Sequence, residues 1–560
     1  MHTFTPFKNV IIYMTPLRYY FLTLLFIYNV AYSQNTPALT EHQVKNVATL
    51  SKIWGFLKYY HPNVANGNYN WDEQFLLVLP KIKDAKTKDE CSAVFTDWIT
   101  SLGIVKPCKS CEKETAKKYL NKNFDLSWTQ DRNLFTPQLS QKLKYIEENR
   151  FTGKHKYITV NSVGAVAIIN EPYYNNYDYP DADKRLMSLA KYWNTVEYFY
   201  PYKYLTDTKW NDVLTAMIPK FWNAKNASDY MLAVLQTTIK LDDSHAQTGF
   251  ETYFTGDTYI PARIKIINNT AIVDKLYNDS LAKIDDIKIG DILLKVDGKT
   301  IAEIISEKMQ YISASNVSGK LRSLQYYLAY SRTGTPKITF SRNGNVTEKT
   351  IKNYPANLVF KTTSAPKWEL LQENIGYVNM AQLQDKDVDK LMKEMTATKA
   401  IIIDLRTYPN FLPYMLSNYL NADEKAFCNI VVPDVSYPGK FIWKDLKTTG
   451  KSNKNYYKGK VVLLVNELTQ SRAEFAAMML QTANNAVTIG SQTAGADGDV
   501  TKFYFLGDYK SMISGIGVYY PDGSPTQRTG VKVDVETHPT VKGIQEGKDE
   551  VLEKALDYLK

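Results

Sequence analysis

Histidine and cysteine are scarce in this chain, with six of one and four of the other among 560 residues. Cys108-Lys-Ser-Cys111 has the spacing of a redox or metal pair. No second pair completes a zinc site, however, and no βαβ pattern surrounds it. The two cysteines read as a local disulfide or as idle thiols, and neither a metal nor a cofactor is expected. Compact blocks of arginine and lysine are missing too. The net charge of +10 is spread along the whole length. The densest basic stretch, Lys440 to Lys460, is diluted by Gly, Ser and Asn as a solvated loop would be. Nucleic acid is therefore excluded as a partner. Beyond the first thirty or so residues, no apolar run approaches a bilayer-spanning length.

What is present describes an exported globular protein of several domains. The length exceeds what one core organises, and 44% hydrophobic with 22% charged residues argues against disorder. Forty-one tyrosines leave amphipathic rings for surfaces and clefts. Arg18, the apolar run Tyr19 to Ile27 and Ala31-Tyr-Ser33 form a leader pattern suited to cleavage before Gln34, with Met14 the more ordinary start. Residues 1–33 are thus expected to be a signal peptide, the run being short for a membrane anchor. No cysteine near the cut would carry a lipid. A periplasmic or extracellular location follows, with no stable membrane span after cleavage.

The first half repeats itself. Leu50-Ser-Lys-Ile-Trp54 returns as Leu189-Ala-Lys-Tyr-Trp193, and Pro62, Trp71 and Pro80 return as Pro201, Trp210 and Pro219, always 139 residues on (210 − 71). Apolar residues at 50, 53, 54 and 57, and at 189, 192, 193 and 196, have helical spacing. Two helical units are expected at 40–110 and 186–255, with 111–185 unassigned between them. Only the second copy ends in Asp242-Asp-Ser244-His245, where the first has Ser101-Leu-Gly-Ile-Val105.

Residues 256–353 form another module. Ile264 to Val273 reads as two strands around an Asn-Asn turn. Gly290-Asp-Ile-Leu-Leu-Lys-Val-Asp-Gly298 resembles a PDZ domain, a fold that binds peptides by strand addition. From 366 to 560 buried-strand runs alternate with helical segments as in an α/β domain. Among them, Val461-Val-Leu-Leu-Val465 leads through a short polar connection to Ser471 and an amphipathic helix. A hydroxyl at that helix start meets unpaired N–H groups and the positive dipole end. The plain alternative is an N-cap with Glu474 completing a capping box.

A serine nucleophile needs a base. His2 lies in the leader, His42 and His61 in the first helical unit, His155 in the unassigned stretch and His538 beside Pro539. His245 remains, at a helix exit. Gly376-Tyr-Val-Asn-Met380, Ile403-Asp-Leu-Arg406, Asn466-Glu-x-Thr-x-Ser471-x-Ala-Glu474 and Ile489-Gly-Ser-Gln-Thr-Ala-Gly495 together resemble the C-terminal-processing (tail-specific) serine peptidases. Their Ser–Lys branch is not matched: Ala496 occupies the lysine place, and no lysine lies between Ser471 and Lys502. Ser244-His245 is instead similar to the tricorn-core branch.

That resemblance implies a multidomain α+β protein with duplicated helical units, a PDZ-like β domain and a C-terminal α/β peptidase domain of tricorn-core, ClpP-crotonase-like type. It implies Ser471 as nucleophile, His245 as base and Ser244 as the group that orients the imidazole. Gln527 stands where the family has a glutamate and would hydrogen-bond to Ser244. The backbone N–H of Arg472, with that of Thr407 or Tyr408, would hold the oxyanion. The loop Thr407-Tyr-Pro409-Asn-Phe-Leu-Pro413 departs from the family's paired glycines. The expected activity is peptide-bond hydrolysis through an acyl-enzyme with PDZ-assisted capture of polypeptides, an oligomer being left open. The alternative is a catalytically weak member that binds peptides or hydrophobic ligands. A carbohydrate-active enzyme lacks an identifiable acid pair.

Overall fold

A computed structural model describes residues 37–111, 117–172, 174, 179–248, 258–329, 334–360, 365–504, 506 and 510–560. The expected signal peptide lies outside them. Glu41–Tyr60 (α1) begins at Thr40, whose side chain accepts from the Gln43 N–H. Trp71–Asp84 (α2) and Lys88–Ser101 (α3) follow, then Pro137–Glu148 (α4) and the hairpin Ile158–Val160 (β1) with Val166–Ile168 (β2). Ala182–Phe199 (α5), Trp210–Asn223 (α6) and Ala227–Thr238 (α7) complete this half. The apolar positions of both repeated stretches are buried. Trp54 Nε1 donates to Trp71 O and Trp71 Nε1 to Trp54 O, at 2.9 and 3.1 Å. Trp193 and Trp210 exchange the same pair of bonds at 2.9 and 3.0 Å.

Helices α1 and α5 meet through residues that are themselves 139 apart. Gly55 faces Asn194 (194 − 55), and a Cβ on Gly55 would fall 1.8 Å from Asn194 Oδ1. One turn on, the rings of Tyr59 and Tyr198 (198 − 59) lie 4.9 Å apart. A glycine on one side is what lets the asparagine reach Ser51 O and Ala190 O, both at 2.8 Å.

The next module is an antiparallel sheet of Ala262–Ile267 (β3), Thr270–Leu276 (β4), Ile292–Val296 (β5), Lys337–Arg342 (β6) and Asn345–Thr350 (β7), paired in that order. Asn268 and Asn269 both have positive φ, 48° and 63°, as a two-residue hairpin turn requires. Ile301–Lys308 (α8) and Val317–Leu328 (α9) connect β5 to β6. Strand β3 is an edge, with α9 alongside it.

The last module is α/β. Trp368–Leu371 (β8) pairs antiparallel with Ile375–Asn379 (β9). Val388–Met395 (α10) leads to Ala400–Asp404 (β10), and Tyr414–Leu420 (α11) to the long strand Lys425–Pro433 (β11) of a second sheet. Lys460–Val465 (β12), Arg472–Leu480 (α12) and Ala486–Gly490 (β13) follow, then Val500–Tyr504 (β14), Lys510–Ser514 (β15), Gly517–Tyr519 (β16), Val535–Glu536 (β17) and Glu550–Leu559 (α13). The main sheet has the order β8-β9-β10-β12-β13-β17, parallel from β9 onward.

Alternation along β10 and β12 sends side chains into two separate cores. Ile401, Ile403, Val461, Leu463 and Val465 pack with α10 and α12, while Ile402, Val462 and Leu464 pack with Val551, Ala555 and Leu559 of α13. Both faces being covered, these strands read as unbroken apolar runs. No described helix is long and apolar enough to cross a membrane.

Candidate active site

Strand β12 delivers its chain at the carboxyl end of the parallel sheet, where open α/β folds place ligands. Thr469 Oγ1 donates to Leu405 O at 2.9 Å and pins the connection to the end of β10. The next four residues form a tight turn in which Gln470 O accepts from the Ala473 N–H at 3.1 Å. Ser471 is its second residue, with φ 57° and ψ −121°. These are type II′ values, normally left to glycine, so the serine backbone is strained. Such a turn lifts a side chain out of the sheet top, as a nucleophile elbow does.

Glu474 holds the turn from beneath. Its buried carboxylate accepts from the N–H groups of Ser471, Ala496 and Gly495 at 3.1, 3.0 and 2.8 Å, and from Thr493 Oγ1 at 2.5 Å. Burial raises this carboxyl above its ordinary range and the four donors oppose it. Burial, helped by the Glu474 charge, holds Asp497 well above the usual carboxylate range. The glutamate thus does more than cap a helix: it ties the serine turn to the 493–496 turn. The Ser471 hydroxyl is directed to Gly498 O at 3.3 Å.

His245 reaches this region by a strand register. Gln247 and Met512 exchange N–H to O bonds at 3.2 Å in both directions, so two residues back along one chain and two forward along the other, His245 lies opposite Ser514. His245 Nδ1 is 2.9 Å from Ser514 Oγ. That hydroxyl donates to Asp243 Oδ1 at 2.9 Å, and the Ser514 N–H donates to Asp243 Oδ2 at 2.8 Å. Burial lowers the imidazole below its ordinary value; Asp243 and Asp499 oppose the shift and Arg322 adds to it.

Two of the expected contacts are replaced by others. Ser244 does not orient the imidazole: its hydroxyl donates to Ala494 O at 2.8 Å and accepts from the Ser315 N–H at 2.9 Å. Asp243 O accepts from the Ala246 N–H, so Ser244 and His245 are the central residues of a turn, and such side chains splay apart. Gln527 does not touch Ser244 either. Its Nε2 lies 3.2 Å from Ser315 Oγ, 3.3 Å from Tyr200 Oη and 3.4 Å from both Asp243 Oδ1 and Asp242 O. Ser514 and the role of Asp243 were not anticipated. Asp243 stands two residues before the histidine, but Ser514 has no sequence signal.

Ser471 and His245 are brought to one neighbourhood, since Gln470 Nε2 donates to Ser244 O at 3.1 Å. No hydrogen bond joins their side chains; in unliganded enzymes that contact is often long and tightens with substrate. Ser471 opens on a cleft of about 810 Å³ with Arg472, Tyr408, Phe475, Ile430 and Asp499 along its walls. His245, 6% exposed, does not border it. Among the described residues, no hydrogen bond occupies the backbone N–H of Arg472, Thr407 or Tyr408. Arg472 Nη1 holds the carbonyls of Pro409 and Asn410 at 3.3 and 3.2 Å, fixing the glycine-free loop. Of the other histidines, His61 and His155 are buried and pushed down to about 4 by desolvation.

Residues 422–537 match the model of peptidase family S41. Mature CPAF complexed with lactacystin is similar over 68% of this chain and 97% of its own, at 14% identity and a TM-score of 0.53. The photosystem II D1 C-terminal processing protease is similar over 66% and 98%, at 15% identity and a TM-score of 0.38. Tricorn protease matches over 68% and 36%, at 14% identity and a TM-score of 0.33. The likeness to CPAF is one of fold.

Proposed function

From the match of residues 422–537 to the model of peptidase family S41, we propose that this chain belongs to that family, the C-terminal-processing serine peptidases, and hydrolyses polypeptides through an acyl-enzyme on Ser471. The observation that carries this reading is the strained type II′ backbone of Ser471 at the mouth of a cleft. His245 Nε2 takes the Ser471 proton as Oγ bonds to the scissile carbonyl carbon. The carbonyl oxygen, now negative, is held by the N–H of Arg472 with that of Tyr408 or Thr407. Collapse breaks the C–N bond, and Nε2–H protonates the leaving amine. Water then gives a proton to Nε2 and its oxygen to the acyl carbon, and Oγ leaves with the proton returned.

The remaining expectations belong to the same proposal. The leader pattern and the Cys108–Cys111 disulfide support export to the periplasm or beyond. The module at 256–353 is taken as a PDZ-type domain: edge strand β3 beside α9 is the arrangement that accepts an added peptide strand. The contacts between positions 139 apart support two copies of one helical unit, at 40–110 and 186–255, packed about an approximate twofold axis through Gly55/Asn194 and Tyr59/Tyr198.

The test is reaction of the mature protein with an active-site serine phosphonate, beside Ser471→Ala and His245→Ala. Labelling that both substitutions abolish is the expected outcome. Folded wild-type protein that takes no label would overturn the peptidase reading in favour of a ligand-binding protein.

A further inference from the structure

Gln527 carries no charge, so the positive imidazolium formed during catalysis needs another partner. Asp243 is fully buried, and among the described residues every hydrogen bond to its carboxylate comes from a donor. Oδ1 accepts from the His245 N–H at 3.0 Å, from Ser514 Oγ at 2.9 Å and from Gln527 Nε2 at 3.4 Å, while Oδ2 accepts from the Ser514 N–H at 2.8 Å. An ionised carboxylate only accepts, and this one is satisfied in that form.

Counting protons fixes the rest. A serine hydroxyl has one hydrogen, and that of Ser514 is given to Asp243. Its contact with His245 Nδ1 at 2.9 Å must then be made by an oxygen lone pair, which obliges Nδ1 to carry the hydrogen. Neutral imidazole has one N–H, so Nε2 is left with its lone pair free. Resting on the Ser471–His245 reading, we propose that Asp243, acting through the Ser514 hydroxyl, selects the Nδ1–H tautomer of His245 and stabilises its imidazolium. The charge thereby comes from two residues before the histidine instead of from position 527. Ser514 and Asp243 are positioning residues, and neither changes its protonation. When Nε2 receives the Ser471 proton, Nδ1–H stays on Ser514 Oγ and the Ser514 hydrogen stays on Asp243. The other charged groups acting on the imidazole are Arg322 of α9 and Asp499.

The experiment uses full-length protein labelled with 15N and 13C in histidine, with the His245 signal identified by its loss in His245→Ala. At neutral pH wild-type His245 should be the Nδ1–H tautomer. Ser514→Ala should give a mixture with Nε2–H, and Ser514→Thr, which keeps the hydroxyl, should restore Nδ1–H. In hydrolysis of a peptide substrate, Asp243→Asn should lower kcat by about 1,000-fold or more with KM nearly unchanged, the loss easing at alkaline pH. Wild-type His245 found as Nε2–H overturns the proposal. So do Asp243→Asn and Ser514→Ala enzymes that both stay within about threefold of wild-type kcat across the pH range. If Asp243→Asn does not fold, the Ser514 pair decides alone, since it removes only one hydroxyl. The tautomer is read without turnover, so a protein that fails to cleave peptides sinks the peptidase reading while leaving the tautomer measurement intact.

Discussion

Replacing Ser471 by glycine and by alanine separates backbone strain from chemistry. Both variants lose the proposed nucleophile, and both lose the 3.3 Å bond from the hydroxyl to Gly498 O. They differ in the backbone: alanine must still adopt φ 57°, ψ −121°, whereas glycine does so without steric cost. A non-glycine residue held in such a region costs about 1–3 kcal/mol. Against that, glycine gives the unfolded chain extra freedom worth about 0.5–1 kcal/mol. The balance favours Ser471→Gly over Ser471→Ala by about 1 kcal/mol. Native-state hydrogen exchange of peptides from β12 and α12 reads this locally, which suits a multidomain chain. The difference amounts to about fivefold greater protection in the glycine variant. Equal protection, or greater protection in the alanine variant, would refute the strained turn.

Three further outcomes are expected. Because burial lowers the His245 pKa, the imidazole stays neutral to more acidic pH than usual. The acid limb of kcat/KM should therefore be centred below about 6.5, and a limb above that value would contradict the burial described. Asp497 has a raised pKa, so the folded state keeps a proton that the unfolded chain releases, and this group's contribution falls as pH rises above the ordinary carboxylate value. Asp497→Asn should raise the urea midpoint at about pH 8 more than at about pH 5, and a gain independent of pH would argue against it. Gly55→Ala places a Cβ against Asn194 Oδ1 and should cost about 1–3 kcal/mol. Adding Asn194→Ala should recover part of that loss, and strictly additive costs would show that the two helices do not meet there.

Particular strands, helices and turns of the scaffold were legible in the sequence, for identifiable reasons. Strand β12 and helix α12 were legible because a strand buried on both faces is an unbroken apolar run. The turn at Asn268-Asn269 was legible because those residues tolerate positive φ. The backbone of Ser471 was not, since a serine forced into a glycine conformation leaves no trace in composition; tertiary ties from Glu474 impose it. The resemblance to the tricorn-core branch implied an orienting role for Ser244, yet the turn formed by residues 243–246 sends its side chain and that of His245 apart. Ser514 was beyond sequence reasoning: 269 positions separate it from His245, and only the register of Gln247 with Met512 sets them face to face.

That register also bears on when activity can arise during synthesis. The ribosome makes Asp243 and His245 first, Ser471 much later, and Ser514 last of the four. Until the β14–β15 hairpin has emerged and laid Met512 against Gln247, a nascent chain that already holds Ser471 lacks the oriented imidazole that the proposed reaction needs. With Ser471 and His245 in the proposed roles, a chain assembled this way is inert while incomplete. Its unfinished copies cannot digest one another, or the machinery handling them, before the whole protein has folded.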